Sequence, residues 1–414
     1  MLNASAMSSI WMRQTTWAAV ALAVFGAGFA VIRAVPAGTA APAGGSNDVV
    51  SRSSDSETEV SASLASAADG SLAVAWIADG GGRDGSGRYV GVRVSEPNAG
   101  KLGPILRVDT RGETVSHDSI VALPGNDFEL VWQGGDSVYA ARISRGRASA
   151  PVTIARNASE PRAASTPNGT VLVSFTYVEG PEKKRKFGLA ISHDAAQFPF
   201  RYVGDAAEGA ISDVCGDDDV ALVTDVDPAR GVVAHRAEIA GEAPIETSTV
   251  STIGEHVARA AAPCFVSRDE SFVVYGETER PQDPTESRIA EALIFVRSRD
   301  GARNFVTRAA HRTPTHMLLP TLLRREQAFT LLAVMGSGAG DAHASASVIV
   351  LGADGRSQNG LTRTAVAPMT MAATPDAAGW IGDSLGLTFA AGVTWAAVPD
   401  NGGGEAHVAL VRVL

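Results

Sequence analysis

The 414-residue chain is poor in several residue types, and each shortage removes a class of explanation. Lysine occurs only at Lys101, Lys183, Lys184 and Lys186, so lysine-based covalent chemistry is not expected. Arginine carries the remaining positive charge, the net charge is −10, and no basic face of the kind a nucleic-acid binder presents is visible. Aromatics make up 6% of a chain that is 45% hydrophobic, so Ala, Val and Leu must fill most of the core. The only cysteines are Cys215 and Cys264, no CxxC or Cys/His spacing suggests zinc, and no metal or other cofactor is expected. Beyond residue 57, no stretch of 12 residues makes a convincing amphipathic helix.

The long apolar run that does occur is N-terminal. Trp17 to Ile32 is uninterrupted apolar or small, with Arg13 before it and Arg33 after it. It falls short of the roughly 20 residues a spanning helix needs and suits the apolar region of a secretory signal. Gly38 and Ala40 sit at cleavage-competent positions, but Arg33 lies in between, so an uncleaved signal anchor stays open. No Cys follows, and a lipoprotein anchor is not expected. Either way the remainder is expected to be exported to the periplasm, the cell envelope or the medium. The organisation read here is a signal or anchor over 1–35, a flexible linker over 36–56 rich in Ala, Gly and Ser, and one large β domain over 57–414.

In that domain hydrophobicity has period 2, broken by Gly, Asp, Asn and Pro clusters. One unit recurs, and its second strand is the clearest mark. It reads LAVAWIAD from Leu72, FELVWQGG from Phe128, VLVSFTYV from Val171 and VALVTDVD from Val220. It continues as SFVVYGET from Ser271, FTLLAVMG from Phe329 and VTWAAVPD from Val393. Successive copies start 43 to 64 residues apart, the length of a four-stranded blade with variable loops. These strands are apolar at nearly every position, as expected of sheets sandwiched between two neighbours. A closed ring buries both faces of such sheets. The expected fold is an all-β propeller of seven four-stranded blades, with six blades as the alternative. The last unit offers three strands, and its missing outer strand is expected from the N-terminus, around Asn47 to Ser53.

Cys215 and Cys264 lie 49 residues apart, close to one repeat length, near inner strands of neighbouring units. A disulfide is expected in an oxidising compartment, with two buried thiols as the alternative. Trp76, Trp132 and Tyr275 occupy equivalent second-strand positions, with Phe175 alongside, and are expected to pack between blades. Gly216 to Asp219 reads as a tight turn or, less simply, a Ca²⁺ loop. Lys183 to Lys186 reads as an exposed hairpin tip, with an anionic contact as the second option.

Two short segments bring a family into view. SRDGARNF carries Ser298, Asp300 and Phe305 with Ala302 in place of Gly, and SHDAAQFP carries Ser192 and Asp194 with Ala196 and Pro199 at the Gly and aromatic positions. These resemble Asp-boxes, S-x-D-x-G-x-x-W, and the chain resembles the sialidase-like (BNR/Asp-box repeat) β-propellers of exported bacterial proteins. The closing stretch from Ile381, with Gly382-Asp383, Asp400 and a final Arg-Val, is similar to that family's last repeat. The resemblance implies a propeller over residues 57–414 with Asp-box turns between third and fourth strands.

The family's catalytic pattern is not matched. A sialidase holds a carboxylate with three arginines, uses a Tyr–Glu nucleophile, and carries an early F/Y-R-I-P motif that this sequence lacks. Most of Tyr89, Tyr139, Tyr177, Tyr202 and Tyr275 fall in or beside strands. Polar residues near the starts of inner strands remain as channel candidates. They are Glu59, His117, Asp118, Glu160, Arg162, Asp213, His256, Arg259, His316 and Asp383. They would take a polar ligand or a metal, the latter through His117, His256 and His316 of different repeats, or form a solvated rim. The expected function is an exported, non-catalytic binding or scaffold module for a protein or glycan, touching a membrane only through its N-terminal segment. The alternative is a diverged glycoside hydrolase with its site in the central channel.

Overall fold

The computed structural model describes residues 48–49, 58–79, 88–110, 113–227, 231–251, 257, 261–278, 290–325, 328–336, 344–352, 363–369, 385–400 and 407–413. The expected signal or anchor helix and most of the linker lie outside them.

The described residues form a seven-bladed β-propeller. Blade 1 is β2 (Thr58–Ser66), β3 (Leu72–Asp79), β4 (Tyr89–Val94) and β5 (Leu106–Val108). Blade 2 is β6 (Val115–Ala122), β7 (Phe128–Gly134), β8 (Ser137–Ser144) and β10 (Val152–Arg156), with the short β9 (Arg147–Ala148) also on β8. Blade 3 is β11 (Ala158–Ser165), β12 (Val171–Glu179), β13 (Lys184–Ser192) and β14 (Phe200–Asp205). Blade 4 is β15 (Ile211–Gly216), β16 (Val220–Asp227), β17 (Gly231–Glu238) and β18 (Glu246–Thr249).

Blades 5 and 6 share a strand. Blade 5 begins with β19 (Cys264–Val266), β20 (Ser271–Glu277) and β21 (Ala290–Ser298), and its fourth strand is the first part of β22 (Phe305–Arg325). The second part of β22 is the inner strand of blade 6, followed by β23 (Ala328–Gly336), β24 (Ala344–Gly352) and β25 (Arg363–Met369). The two blades therefore hydrogen-bond as one seven-stranded sheet. Blade 7 holds β26 (Gly386–Ala390), β27 (Val393–Asp400) and β28 (His407–Arg412). Its fourth strand is β1 (Asp48–Val49), antiparallel to β28 through Asp48↔Leu410 and Val49↔Ala409. An N-terminal strand on a C-terminal sheet covers the edge that an open ring would leave unpaired.

The period-2 geometry of a strand explains why both faces are apolar. Along β7, Phe128, Leu130 and Trp132 pack toward blade 1 while Val131 packs toward blade 3. Along β16, Val220 and Leu222 face blade 5 while Ala221 and Val223 face blade 3. Each seam between neighbours carries its own buried cluster, and the cluster joining Leu72, Val74 and Trp76 to Ala397, Val408 and Leu410 seals blade 1 against blade 7. Trp76, Trp132, Phe175 and Tyr275 are all at most 1% exposed, each facing the preceding blade. The third strand makes room for two of them. A Cβ at Gly91 would lie 2.4 Å from the Trp76 ring, and one at Gly188 would lie 2.7 Å from Phe175.

The disulfide joins Cys215 of β15 to Cys264 of β19, with 5.8 Å between Cα atoms. It ties the inner strands of blades 4 and 5. In the turn between β21 and β22, Asp300 accepts hydrogen bonds from Ser298 Oγ at 2.6 Å and Asn304 N at 2.9 Å. The Ser298 bond, and then one from Asn304 Nδ2 at 2.6 Å, hold the pKa of its carboxyl down to about 2. In the turn between β13 and β14, Asp194 accepts from Ala196 N at 2.9 Å and Gln197 N at 3.1 Å. The aromatic buried under that turn is Phe198, one position before Pro199.

Candidate functional site

The inner strands of blades 1 to 3 share an irregularity at one end. In each, two residues oppose one on the second strand, and the first of the two lies in the left-handed region. These are Ser61 (φ 56°), His117 (φ 51°) and Glu160 (φ 55°). The single opposing residues are Trp76, Trp132 and Phe175. A fourth bulge places Leu319 and Pro320 opposite Ala333 in blade 6. A bulge bends the strand and re-aims its side chains, and non-glycine residues at positive φ are held there by surrounding structure. The large second-strand ring is the constraint common to the first three.

This end of the ring gathers several of the expected channel residues. Asp118 follows the bulge residue His117, is fully buried, and accepts a hydrogen bond from Ser63 Oγ at 2.5 Å across the seam to blade 1. Glu160 donates its backbone N–H to Gln133 Oε1 of blade 2 at 3.0 Å, and its carboxylate lies 3.7 Å from Arg185 Nη2. Arg162 of blade 3 acts on Asp213 of blade 4: burial pushes the Asp213 carboxyl above its ordinary value, and the Arg162 guanidinium opposes the shift. Asp213 Oδ1 also accepts from Val214 N at 2.8 Å.

The other candidates are placed less fully. Glu59 lies in β2 opposite Ala78 and His316 in β22 opposite Gly336, but their side chains are outside the described residues. His256, Arg259 and Asp383 also lie outside them. Among the described residues no group of three or more His, Cys, Asp or Glu is placed to hold a metal ion.

Two charged loops resolve into local structure. Asp217 Oδ1 accepts from Asp219 N at 3.0 Å and Val220 N at 2.8 Å, and Asp218 Oδ1 accepts from Asn168 N of blade 3 at 2.8 Å. Gly216 to Asp219 is a capped turn that also bridges two blades. At the hairpin of blade 3, Lys184 pairs with Glu182 at 2.8 Å, Arg185 with Glu160, and Lys186 with Glu179. Three of the four cations are thus matched by carboxylates. At the opposite end of the ring, a cleft of about 400 Å³ between blades 1 and 2 is bordered by Asp69, Asn126, Asp127 and Arg145.

No family model matches the chain, and no curated protein matches it in sequence. Several solved structures are similar to it. A protein of unknown function from Dyadobacter fermentans DSM 18053 is 12% identical, with 89% of this chain and 97% of that one covered and a TM-score of 0.47. The GH93 α-L-arabinofuranosidase of Fusarium graminearum is 12% identical over 72% of this chain and 92% of its own, with a TM-score of 0.45. The sialidase of Trypanosoma rangeli is 9% identical over 71% of this chain and 53% of its own, with a TM-score of 0.46. At such identities the likeness concerns architecture alone.

Proposed function

We propose that the protein is an exported, non-catalytic β-propeller module that binds a protein or glycan partner at the bulged mouth of its channel. One observation carries this reading: each described carboxylate there is set against a cation or hydroxyl of its own ring. Asp118 holds Ser63, Glu160 faces Arg185, and Asp213 faces Arg162. A glycosidase needs one ionised and one protonated carboxyl facing each other across a sugar. Matched opposite charges suit a partner recognised through many polar contacts. The disulfide supports export, since such bonds persist in oxidising compartments. The turns at Asp194 and Asp300 support kinship with Asp-box propellers, because each aspartate organises its turn through the backbone.

Asp213 favours a second reading. A carboxyl whose hold on its proton is strengthened by burial is what a general acid requires, so a diverged glycoside hydrolase is the alternative. Aryl sialosides and aryl arabinofuranosides offered to the full-length protein separate the two. No turnover is expected, and hydrolysis that disappears in both Arg162→Ala and Asp213→Asn would replace the binding reading with the enzymatic one.

A further inference from the structure

The outer strand of blade 3, three strands out from the inner strand that carries Glu160, has an exposed aromatic surface. Phe200 is 44% and Tyr202 50% exposed, which is uncommon for large rings in a chain so poor in aromatics. They sit two residues apart on β14, so they share a face at roughly 7 Å spacing. Phe200 is braced from below. Its ring meets Phe175 edge-on at 5.3 Å and Tyr177 at 5.4 Å. Phe175 reaches it because Gly188 leaves the sheet open beneath that ring. Tyr202 is fixed by a hydrogen bond from its hydroxyl to Asp205 at 2.9 Å and by Lys186 stacked 5.0 Å from the ring centre. Lys186 is in turn paired with Glu179. The two rings are therefore rigid, and their rim alternates donors and acceptors.

We propose that Phe200 and Tyr202 form a stacking platform for a neutral glycan. Three observations select that occupant. The rim carries no excess of positive charge, with Lys186 set against Glu179 and Asp205 while Arg201 turns to the other face and the Glu238 carbonyl, so nothing attracts a polyanion. The half-exposed rings offer roughly 100 Å² each, far below the about 800 Å² per partner of a stable protein interface. A register shift between Phe187 and Gly188 bends the edge away from pairing with another strand, including that of a second copy. Small apolar faces bordered by paired donors and acceptors match the C–H faces and hydroxyls of a sugar. The proposal rests on the binding-module reading in one respect only, that the ligand is held and not cut.

Affinity electrophoresis of the full-length protein through gels containing xyloglucan, arabinan, galactomannan or dextran tests it, with polygalacturonate as the charged comparison. At least one neutral polymer should retard the protein, and Tyr202→Ala should weaken that retardation about tenfold. Tyr202→Phe, which keeps the ring, should retain it. Phe200→Ala combined with Tyr202→Ala should abolish it, with an unchanged thermal midpoint for Tyr202→Ala as the folding control. Retardation by polygalacturonate alone, by no polymer, or undiminished in the double variant would overturn the platform. Retardation lost in Arg162→Ala but kept in Tyr202→Ala would also overturn it, while leaving the channel-mouth reading intact. Hydrolysis of the polymer would remove that reading separately.

Discussion

Glu129→Gln is expected to stabilise the protein at neutral pH, by a margin that grows with pH. Glu129 sits in the middle of β7, opposite Arg142, and is 1% exposed in the seam between blades 2 and 3. Burial pushes its carboxyl up to about 8, with Arg142 opposing. Arg142 also donates through Nη2 to the Asp194 carbonyl of blade 3 at 3.2 Å. The folded state thus keeps a proton that the unfolded chain releases near its ordinary 4.5. Below that value the group costs nothing in relative terms. Between about 4.5 and about 8, stability falls by about 1.4 kcal/mol per pH unit, and above about 8 the loss is complete. The deficit is about 3 kcal/mol at pH 7 and approaches about 5 kcal/mol at pH 9. Gln keeps the shape without ionising. Any cost of burying its amide is independent of pH, so the slope is the diagnostic quantity. Urea unfolding of both proteins at pH 5, 7 and 9, followed by tryptophan fluorescence, measures it. A stability difference that stays flat across that range would refute the reasoning.

Other expectations follow from particular contacts. Replacing both Cys215 and Cys264 by Ser should cost up to about 4 kcal/mol through the 49-residue loop they close, and non-reducing peptide mapping of the parent protein should recover the linked pair. Ser63→Ala should cost about 1–3 kcal/mol, because it removes a hydrogen bond to the buried Asp118; an unchanged urea midpoint would contradict that role. In the hairpin between β26 and β27, Ala391 and Gly392 both have positive φ (50° and 79°), so Ala391→Asn should gain about 0.5–1 kcal/mol, visible as a raised melting temperature.

The repeat was legible because its second strand is buried on both faces, which writes an unbroken apolar word seven times. The aromatic at its fifth position, as at Trp76 and Trp132, was legible for the same reason. The cysteine pair was readable because 49 residues return the chain to the same radius one blade later. The bulges were hidden. Positive φ usually announces itself through Gly or Asn, and here it falls on Ser61, His117 and Glu160, each opposite an aromatic of the adjacent strand. Phe198 escaped because a turn motif of fixed spacing points to Pro199, while the backbone turns at Ala195 and brings the aromatic in one residue early. β22 was also concealed. A proline ordinarily interrupts a strand, yet β22 passes through Pro314 and Pro320, and Pro320 sits in a bulge where a missing N–H is tolerated. At the mouth, composition supplied the right residue types, but only the neighbouring blades decide that Asp118 turns inward to Ser63 and that Arg162 meets Asp213.

The shared strand also sets where this chain can be divided. Between blades 3 and 4 the backbone crosses from one sheet to the next through residues 206–210, a loop that could be nicked or given new termini without severing a strand. Between blades 5 and 6 the joint is shorter: within β22 only residues 313–315 fall between the stretch paired with residues 292–298 of β21, which ends at Arg312, and the stretch paired with β23 from His316. A circular permutant opened there would lose an outer edge and an inner edge together. New termini placed at residues 206–210 therefore leave every strand whole, whereas termini placed within β22 cut a strand that pairs on both sides of the cut.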